Sequence, residues 1–590
     1  MALIDKASLL MVPSTYEAGK LYNVLPSGNR APDSTDKNSG YDNTRADFDF
    51  DRGSNAAATR IGSDGLLKKY RENLLTESNN FSDSDWFNTN ATVTSGQSGY
   101  DGASDAWKLE AATTSATLLQ QSEDVSSDTP TTVSIYAKSG NVDFLKMLIV
   151  CSGPNSVVIF DLSDGSTSGS SRNISVNTED VGGGWFRCST TAAPGTNITS
   201  VRFELRSTLG SGSADEGSYI FIQNAQAESG LVATDYLNST DVTAKSGVLI
   251  DLPRINYDAN GENGALLLEP SRQQLLPFSE YFGAWAVASG GTGSNPIITS
   301  NYATSPDGNL NAARIQFNRG SGTGGGDTSY ITYGLSAGTI DATLSVYLKT
   351  NDGSTKDVTL RLGTSLFDFN VSVTSEWKRF TLSGNTNVDR MQILLYGNEN
   401  NQTADLSCFA AQVEAGSYAT SYIPNHGESG GVTRAADSCS VTGASDVIGQ
   451  TEGTLFAQVG EFPKENNGRI LGISDGTSSN YVIIIKNSAN TDFAVYATNG
   501  GTAQATYLGT SSLNNNSKIA VGYANNDYVV YVNGNQVHSD TSASVPTCSN
   551  IYIGQRENGS VTYLAGGSVK QALLFKERLT NAELATLTTL

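Results

Sequence analysis

The chain carries one series of short sequence motifs twice, and this internal repeat limits its possible folds more than any other feature. The motifs follow the same order in two stretches, at about residues 73–240 and 272–425, and the spacing between them drifts by several residues. Surface loops of different length explain such drift. We therefore predict two successive copies of one domain. The matching pairs are Arg71-Glu-Asn-Leu-Leu75 with Arg272-Gln-Gln-Leu-Leu276, Asp101-Gly102 with Asp307-Gly308, Ser134-Ile-Tyr-Ala-Lys138 with Ser345-Val-Tyr-Leu-Lys349, Gly184-Trp-Phe-Arg187 with Glu376-Trp-Lys-Arg379, and Ala225-Gln-Ala-Glu228 with Ala411-Gln-Val-Glu414.

Within each copy, apolar and polar residues alternate in short runs such as Val133-Ser-Ile-Tyr-Ala-Lys138 and Val201-Arg-Phe-Glu-Leu205. A two-residue period indicates strands with one buried face, and the glycine-rich stretches 182–184 and 320–326 are typical of turns. The 60 glycines and the low charged fraction of 16% favour short strands over helices. We predict an all-β fold in which each copy is a β-sandwich or jelly roll.

The segment 437–590 has a different pattern and is predicted to form a second kind of sandwich. Seven apolar runs follow one another, and Asn533-Gly534, between the run at 528–532 and Gln536-Val-His538, is a strong signal for a two-residue hairpin turn. Thr580-Asn-Ala-Glu583 has the pattern of a capping box and predicts one short terminal helix.

The two remaining segments are predicted to be a docking arm at the N-terminus and a linker between the jelly rolls. Residues 27–47 are too polar to build a core, whereas Phe48-Asp-Phe-Asp51 alternates like a strand, so the N-terminal segment is interpreted as an arm that docks on something else. The predicted organisation is an N-terminal arm at 1–72, a first jelly roll at 73–240, a linker with a β-hairpin at 241–271, a second jelly roll at 272–436, and the C-terminal sandwich at 437–590.

Composition excludes several classes of function. The net charge of −22 makes nucleic acid and anionic membrane surfaces poor partners. His426 and His538 are the two histidines, which leaves little material for zinc sites or for triads that use histidine. The five cysteines are odd in number and far apart, so we expect buried free thiols. No apolar run approaches 18 residues, and the start MALIDKASLL lacks the apolar region of a signal peptide.

Several motifs resemble those of tail and fibre proteins of tailed bacteriophages. In that family, jelly rolls similar to carbohydrate-binding modules precede a concanavalin A-like, or laminin-G-like, lectin domain. The resemblance covers nearly the whole chain in order. It rests on Phe50-Asp-Arg-Gly-Ser-Asn-Ala-Ala-Ala-Thr-Arg60, Glu72-Asn-Leu-Leu75, Pro253-Arg-Ile-Asn-Tyr257, Ala411-Gln-Val-Glu-Ala-Gly416 with Thr420-Ser-Tyr-Ile-Pro424, and, for the lectin domain, Gly453-Thr-Leu-Phe456, Lys518-Ile-Ala-Val521, Tyr531-Val-Asn-Gly534 and Leu579-Thr-Asn-Ala-Glu-Leu584.

Sugar binding needs a flat aromatic face with amide and carboxylate groups beside it. Trp86 and Trp285 occupy equivalent positions in the repeat, as do Trp185 and Trp377, and this equivalence favours core packing. Trp107 has no counterpart in the second copy and is therefore the better candidate for a surface platform, with a core position as the alternative.

The C-terminal sandwich contains no tryptophan, so a platform there has to be tyrosine. Most of the tyrosines available for this are expected in the core; the available ones are Tyr481, Tyr496, Tyr507, Tyr523, Tyr528 and Tyr563. Its candidate sugar-binding residues are Tyr507, Asn525, Asn526, Asp527, Arg556 and Asn558, and ordinary turns are the alternative for the two loop clusters among them.

Metal binding and catalysis have weak support. The spacing in Asp47-Phe-Asp-Phe-Asp51 imitates a calcium loop, but its glycine falls one place late and no closing glutamate follows, so we assign no metal ligand. A structural calcium ion is compatible with the jelly-roll resemblance, at a site that the sequence does not locate.

Gly472-Ile-Ser-Asp-Gly476 fits G-x-S-x-G, but the strand pattern at 481–485 predicts a turn instead of a nucleophile elbow. No E-x-D-x-E run occurs in 437–590, so no catalytic residue is assigned and the chain is expected not to be an enzyme.

The resemblance implies a structural virion protein, a fibre or appendage subunit exposed on the particle surface, that binds host cell-surface glycan non-covalently. Its other expected partners are virion proteins contacted through the N-terminal arm, and copies of itself in a homo-oligomer, with a trimer favoured. The alternatives are a purely structural decoration or adaptor protein and a glycan depolymerase.

Overall fold

A computed structural model describes residues 3–13, 48–52, 57–125, 129–169, 172–193, 195, 197–210, 212–250, 252–363, 368–396, 401–461, 467–487, 493–509, 513–561 and 566–590. These residues are nearly all in strands and turns, which confirms the predicted all-β class. Their helices include the 3₁₀ turns Leu3–Lys6 and Phe282–Ala284 and the α-helix α1 (Asn581–Thr588). Within the described ranges, no helix has the length and hydropathy needed to cross a membrane.

The N-terminal part contributes five short strands to the structure. They are β1 (Leu9–Met11), β2 (Asp49–Asp51), β3 (Thr59–Ile61), β4 (Leu67–Lys69) and β5 (Arg71–Asn73). β3 and β4 form a hairpin, which we call the N-terminal hairpin.

The first jelly roll consists of twelve strands in two antiparallel sheets. Their orders are β14-β15-β10-β17-β8-β7 and β13-β12-β11-β16-β9-β6. Alternate residues such as Val133, Ile135 and Ala137 are buried between the sheets, as the two-residue period predicts. The strands are β6 (Phe87–Thr89), β7 (Ala91–Gln97), β8 (Ala106–Ala111), β9 (Leu118–Val125), β10 (Thr131–Ser139), β11 (Phe144–Cys151), β12 (Ser156–Asp161), β13 (Thr167–Gly169), β14 (Asn173–Gly182), β15 (Trp185–Ala192), β16 (Ile198–Arg206) and β17 (Tyr219–Ser229).

Three strands connect the jelly rolls, and twelve more belong to the second jelly roll. The connecting strands are β18 (Ala244–Ser246), β19 (Ile255–Asn256) and β20 (Ala265–Leu268). The second set is β21 (Arg272–Gln274), β22 (Ala286–Gly290), β23 (Ser294–Ala303), β24 (Ala312–Asn318), β25 (Thr328–Gly334), β26 (Thr339–Thr350), β27 (Lys356–Leu362), β28 (Asp368–Val373), β29 (Lys378–Asn387), β30 (Arg390–Tyr396), β31 (Thr403–Ala415) and β32 (Val432–Arg434).

The two jelly rolls share one strand order, which confirms the predicted repeat. The run β29-β26-β31-β24-β23 repeats β15-β10-β17-β8-β7, and β28-β27-β30-β25-β22 repeats β12-β11-β16-β9-β6. A β-bulge recurs as well. The pair β10–β17 of the first jelly roll and the pair β26–β31 of the second shift register at equivalent positions. At that bulge Asn224 has φ 56° and its counterpart Ala410 has φ 52°.

The motif that ends each copy fastens the chain that leaves the sandwich. The side chain of Glu414 accepts hydrogen bonds from the backbone N–H and the hydroxyl of Thr420, at 2.8 and 2.6 Å. Glu228 accepts the same pair of bonds from Thr234, at 2.9 and 2.6 Å. This repeated sequence motif therefore makes the same structural bonds in both copies.

The C-terminal sandwich is built from four separate parts of the sequence. Its back sheet has the order β19-β20-β43-β34-β39-β40-β41, with β1 also paired to β43, and its front sheet has the order β2-β33-β42-β35-β36-β37-β38. Its own strands are β33 (Ser438–Val441), β34 (Glu452–Val459), β35 (Arg469–Ser474), β36 (Tyr481–Lys486), β37 (Phe493–Asn499), β38 (Thr502–Leu508), β39 (Lys518–Ala524), β40 (Asp527–Val532), β41 (Asn535–Asp540), β42 (Asn550–Ile553) and β43 (Gly567–Phe575).

Both jelly rolls are insertions into this arrangement. The strands that enter and leave the first jelly roll, β5 and β18, pair with each other, and so do β21 and β32 of the second. The strands before and after the second jelly roll, β20 and β33, both belong to the C-terminal sandwich. The described part of the predicted arm thus packs on its own chain, while residues 14–47, part of its predicted docking region, lie outside the described residues.

A cluster of buried charged side chains lies where the N-terminal segment, the second jelly roll and the C-terminal sandwich meet. Arg254 donates to Glu269 at 2.8 Å and, through Nε, to Asp437 at 3.2 Å. Arg434 pairs with the same Glu269 at 3.0 Å, and Arg52 pairs with Asp437 at 3.5 Å. Charges removed from water are stable only when paired and hydrogen-bonded, so the cluster fixes the relative positions of the strands that carry it.

Local sequence signals in the C-terminal sandwich correspond to the observed elements. Asn533 and Gly534 form the β40–β41 turn with φ of 48° and 84°, as a hairpin turn of this kind requires. Thr580 and Glu583 form both hydrogen bonds of the capping box at the start of α1. The five cysteines are free and buried, as expected.

Candidate functional site

The outer face of the front sheet is apolar at its centre. Along β36, Val482 and Ile484 point into the core between the sheets, whereas Ile483 and Ile485 belong to a separate apolar cluster on the opposite face. Tyr481 is half-buried at the edge of that cluster. Because successive residues of a strand point to opposite faces, an unbroken apolar strand provides an apolar surface on both sides of its sheet.

The neighbouring strands complete this surface. Tyr496 of β37 lies opposite Ile483 and is also half-buried against the outer cluster. On the other side, Gly472 of β35 pairs with Ile483. A Cβ atom at Gly472 would lie 2.9 Å from Cγ1 of Ile483, so any larger residue at this position would force the isoleucine side chain to shift.

Charged groups close one end of the surface. Glu557, in the turn after β42, accepts a hydrogen bond from Ser478 at 3.0 Å and from Arg556 at 3.1 Å. Arg469 of β35 lies 3.6 Å from the other carboxylate oxygen. Burial alone would raise the pKa of Glu557, but a hydrogen bond from its own backbone, the bond from Ser478 and the two guanidinium charges outweigh burial and hold that pKa below its ordinary value. The carboxylate is therefore ionised at neutral pH.

Together these residues form an open cavity of about 330 Å³, which we call the front groove. The cavity is large enough for a small ligand and combines half-buried aromatic rings with a few convergent polar groups. Pyranose rings need this combination, because their C–H faces contact aromatic rings while their hydroxyls need donors and acceptors. The lining residues are Asn467, Arg469, Tyr481, Ile483, Ile485, Tyr496, Arg556 and Glu557.

The structure disperses the residues that the sequence suggested for sugar binding. Arg556 lines the front groove, and Asn558 lies exposed in the same turn, where its side chain accepts a bond from the Ser560 backbone. Asn525, Asn526 and Asp527 form the β39–β40 turn of the back sheet instead. This turn is anchored by Asp527, which pairs with Arg578 at 3.0 Å, and by Asn526, whose N–H donates to a backbone carbonyl at 2.7 Å.

Tyr507 is on the front sheet but does not face the groove. It lies on the edge strand β38 and packs against the core between the sheets, 5.3 Å from the ring of Phe493 and 5.2 Å from that of His538. Leu508, the next residue, is the exposed one.

Trp107 does not form the exposed platform that its lack of a counterpart suggested. Only 9% of its surface is exposed. Its indole N–H donates to the Asn79 carbonyl at 2.8 Å, and its ring meets Phe81 edge to face at 6.1 Å. The difference between Trp107 and Ala313 is thus a difference in core volume. Trp86, Trp185 and Trp285 are buried as predicted, whereas Trp377 is half-buried.

The G-x-S-x-G motif covers the last three residues of β35 and the start of the turn to β36, so it is followed by a strand, as predicted, and not by the helix of a nucleophile elbow. Ser474 ends β35, is fully buried, and donates its hydroxyl hydrogen to the Glu557 carbonyl. Within the described ranges, no group of three or more histidine, cysteine, aspartate or glutamate side chains is placed to hold a metal ion.

Sequence reasoning missed most of the front groove. Tyr481 and Tyr496 were not selected from the available tyrosines, most of which were expected in the core, and Arg469 carried no signal, although Glu557 belongs to the loop cluster 556–559. A usable signal was present in Tyr481-Val-Ile-Ile-Ile485, because a strand at the surface of a sandwich has no need to be apolar on both faces.

Comparison with solved structures finds carbohydrate-binding modules and laminin domains. The CBM40 of Ruminococcus gnavus IT-sialidase bound to alpha2,3 sialyllactose is 19% identical, with 24% of this chain and 86% of that chain covered and a TM-score of 0.22. The CBM22-1-CBM22-2 tandem of Paenibacillus barcinonensis Xyn10C is 11% identical, with 62% and 100% covered and a TM-score of 0.22. Mouse laminin alpha1 LG4-5 is 11% identical, with 47% and 93% covered and a TM-score of 0.18. At such scores these likenesses carry no argument about function.

A comparison with the curated proteins gives no match. Residues 455–585 match the family model of the concanavalin A-like lectin/glucanases superfamily. This range covers strands of both sheets of the C-terminal sandwich and all the residues named above as lining the front groove. The C-terminal sandwich is therefore similar to domains of the concanavalin A-like lectin/glucanases superfamily, and the front groove lies on the outer face of one of its two sheets.

Proposed function

We propose that the protein binds a cell-surface glycan non-covalently in the front groove. The observation that carries this proposal is the position of Tyr481 and Tyr496 at the surface of an apolar sheet face, next to the polar groups of Arg556 and Glu557. Non-covalent binding does not require a catalytic pair of carboxylates across a scissile bond. The matching lectin superfamily supports the proposal, since carbohydrate binding is one of its activities by description.

A glycan array with the full-length protein, followed by titration calorimetry on the best ligand, tests this proposal. Tyr481→Ala and Tyr496→Ala are each expected to weaken binding about tenfold or more, because an aromatic contact of this size contributes about 0.5–1.5 kcal/mol beyond its buried area. The matched control is Tyr302→Ala, which removes a tyrosine that is 43% exposed on the second jelly roll. Equal losses in all three variants, or no loss in the first two, would refute the assignment to the front groove.

The finer proposal is that this glycan-binding protein is a fibre or appendage subunit of a tailed bacteriophage, exposed on the virion. Its support is the motif resemblance, with the N-terminal segment as the contact to other virion proteins. Immunogold labelling of purified phage particles with antibodies against the protein tests the location. Absence of label, with a positive signal on the free protein, would refute it.

The labelling and sugar-binding experiments, together with an assay for polysaccharide cleavage, distinguish two other functions. A protein that labels particles but binds no sugar at millimolar concentration is a structural decoration or adaptor protein. Release of reducing ends from host polysaccharide would identify a glycan depolymerase.

We also propose that the protein works as a homo-oligomer, with a trimer favoured. Linked copies raise the effective concentration of a weak site, so several front grooves on one particle would bind a cell surface far more tightly than one groove binds a free sugar. Light scattering coupled to size-exclusion chromatography measures the assembly state.

A structural calcium ion stays a prediction, and a melting temperature that falls on addition of a chelator would support it.

A further inference from the structure

We propose that strand β38, at the free edge of the front sheet, pairs with β38 of a second copy of this chain. Among the described residues, β38 pairs with no strand other than β37 and ends the order of its sheet. An edge strand presents unpaired backbone N–H and C=O groups that can bind another strand. This inference rests on the homo-oligomer proposed above and names a contact surface for it.

Two usual protections of an edge strand are missing from β38. Edge strands commonly carry charged side chains or proline, which prevent pairing with a second chain. β38 contains neither, and the sequence from Phe493 to Ser517 holds no Asp, Glu, Lys or Arg. Its register with β37 shifts once, beside Thr498, and is regular from Ala505 to Leu508. These last four residues therefore form a regular and uncharged edge.

Alternation along the ladder shows which backbone groups face this edge. The Gly509 N–H donates to the Phe493 carbonyl at 2.9 Å, so this pair is hydrogen-bonded. In an antiparallel ladder, hydrogen-bonded pairs alternate with pairs that are not bonded. The backbone groups of Thr506 and Leu508 therefore point away from β37, toward the free edge.

An exposed leucine adds apolar surface beside the edge. Leu508 is 56% exposed and lies opposite Ala494, which in turn lies opposite Ile485. Ala494 and Ile485 belong to the apolar cluster on the outer face of the front sheet, so Leu508 extends that apolar face to the edge. Pairing of two β38 strands would remove both leucines from water.

Charge favours a second copy as the partner. The chain has a net charge of −22, so most surfaces of two copies repel each other on approach. The uncharged edge is a surface that two copies can bring together without such repulsion between its own side chains. Antiparallel pairing of a strand with its own copy has twofold symmetry, in which the same surface serves on both sides. The contact gives a dimer, or a hexamer where it joins two trimers.

The pairing would place two front grooves on one face of a continuous sheet. Neighbouring strands are about 4.8 Å apart, so the two β37 strands, which carry Tyr496, would lie about 14 Å apart. Two sites at this separation can act together on one cell-surface glycan, because binding at the first raises the effective concentration at the second.

Light scattering coupled to size-exclusion chromatography, together with hydrogen–deuterium exchange, tests the inference on the full-length protein. We expect an even number of chains in each particle and slow exchange of the N–H groups of Thr506 and Leu508. A monomer or an odd-numbered particle would overturn the inference. Fast exchange of both N–H groups in the unaltered protein would overturn it without any variant.

Variants at two exposed positions assign the contact to β38. Leu508→Asp places like charges across the contact, and Thr506→Pro removes an outward N–H that does not bond to β37. Each is expected to halve the mass of the particle while the circular dichroism spectrum stays the same. The matched control is Phe369→Asp on the edge strand β28 of the second jelly roll, where the phenylalanine is 45% exposed, and it should leave the mass unchanged. An even-numbered particle whose mass neither β38 variant alters would overturn the inference.

Glycan binding is tested separately from this contact. Calorimetry with a small oligosaccharide measures a single groove, so the affinity should be the same in the unaltered protein and in Leu508→Asp. Binding to a glycan-coated surface should fall about tenfold or more in the variant, because linked grooves are lost. A blank glycan array from an even-numbered particle would refute the proposed glycan binding and leave the pairing of β38 intact.

Discussion

Arg71 and Ser246 lie opposite each other in a two-stranded antiparallel ladder, so the first jelly roll begins and ends at the same place. The N-terminal hairpin precedes this ladder, and the chain after it returns to the hairpin, where the Tyr257 N–H donates to the Ile61 carbonyl at 3.1 Å. Domains with adjacent ends are tolerated as insertions because their removal leaves only a short gap. The rest of the protein is thus continuous without the first jelly roll.

We predict that residues 74–243 can be replaced by Asn-Gly without loss of the remaining fold. The dipeptide would turn β5 directly into β18, as a two-residue hairpin requires. The replacement also removes the hydrogen bond that the Asn301 side chain of the second jelly roll donates to the Leu231 carbonyl at 2.8 Å. We expect a soluble protein with a β-type circular dichroism spectrum and unchanged affinity at the front groove. An aggregated product would contradict the insertion.

Removal of residues 1–56 is expected to destabilise the C-terminal sandwich by several kcal/mol. Leu9, Met11, Phe48 and Phe50 are buried in its core, and burial of each such side chain contributes about 1.5–3 kcal/mol. The truncation also leaves β43 and β33 without their partners β1 and β2. Urea denaturation measures the effect as the free energy of unfolding of the C-terminal sandwich. The control is Val242→Ala, at a side chain that is 65% exposed, which should change stability by less than about 0.5 kcal/mol.

Lys69, a partly buried residue, joins the N-terminal hairpin to two buried carboxylates of the second jelly roll. Lys69 lies 2.9 Å from Glu280 and 2.7 Å from Asp307, whose side chains are 2% and 1% exposed. We predict that Lys69→Met costs about 3–5 kcal/mol, because it leaves two buried carboxylates without their counter-charge. The neighbouring Lys68→Met breaks only the exposed pair with Asp64 and should cost about 0–1 kcal/mol. Similar losses of stability in both variants would show that the ion pairs with the buried carboxylates contribute no more than the exposed pair does.

The same lysine–aspartate pair predicts a loss of stability in acid. Burial would raise the pKa of Asp307, but the charge and hydrogen bond of Lys69, together with hydrogen bonds from Asn311 and Asn309, outweigh burial and lower that pKa from 3.8 to about 2. A carboxyl whose pKa is lower in the folded protein stabilises it above the unfolded pKa, and the stabilisation is lost as pH falls through the folded pKa. We therefore expect the free energy of unfolding to decline between about pH 4 and pH 2.

The lysine variant provides the control for this pH dependence. Without Lys69, burial of Asp307 is no longer opposed by the lysine charge, so its folded-state pKa should rise toward or above the unfolded value, and the loss of stability between about pH 4 and pH 2 should shrink or reverse. Urea titrations of the unaltered protein and of Lys69→Met at several pH values between 2 and 6 measure the shift. An identical pH dependence of both proteins would contradict the role of this pair.

The repeat and the all-β class were predictable because their signals are local. The shared motifs recur since their side chains make the same bonds in both copies, as Glu228 and Glu414 do with the threonine that follows each. The make-up of the C-terminal sandwich was not predictable in the same way. β1 is three residues long, too short for a periodic pattern, and although the alternation at 48–51 indicates the strand β2, nothing local shows that β1 and β2 pair with β43 and β33, which are far away in the sequence.

The candidate site was predicted less well because its residues are close only in the folded chain. Arg469 and Glu557 come from β35 and from the turn after β42, and nothing in their sequence neighbourhoods marks them as partners. The apolar run at 481–485 concealed the groove, since core and outer face carry the same residue types there. Only the pairing of strands shows which of these side chains face outward.

Trp107 provides a last prediction, which separates core packing from ligand binding. The residue is buried beside Phe81 and bonded to a backbone carbonyl, so Trp107→Ala should lower the free energy of unfolding by about 3–5 kcal/mol, as is usual for large aromatic residues in cores. The sugar affinity of the folded protein should not change, because Trp107 belongs to the first jelly roll and the front groove to the C-terminal sandwich. Trp107→Phe, which keeps an aromatic ring, should recover part of the stability. A variant that melts like the unaltered protein but loses sugar binding would restore Trp107 as a platform and displace the front groove from that role.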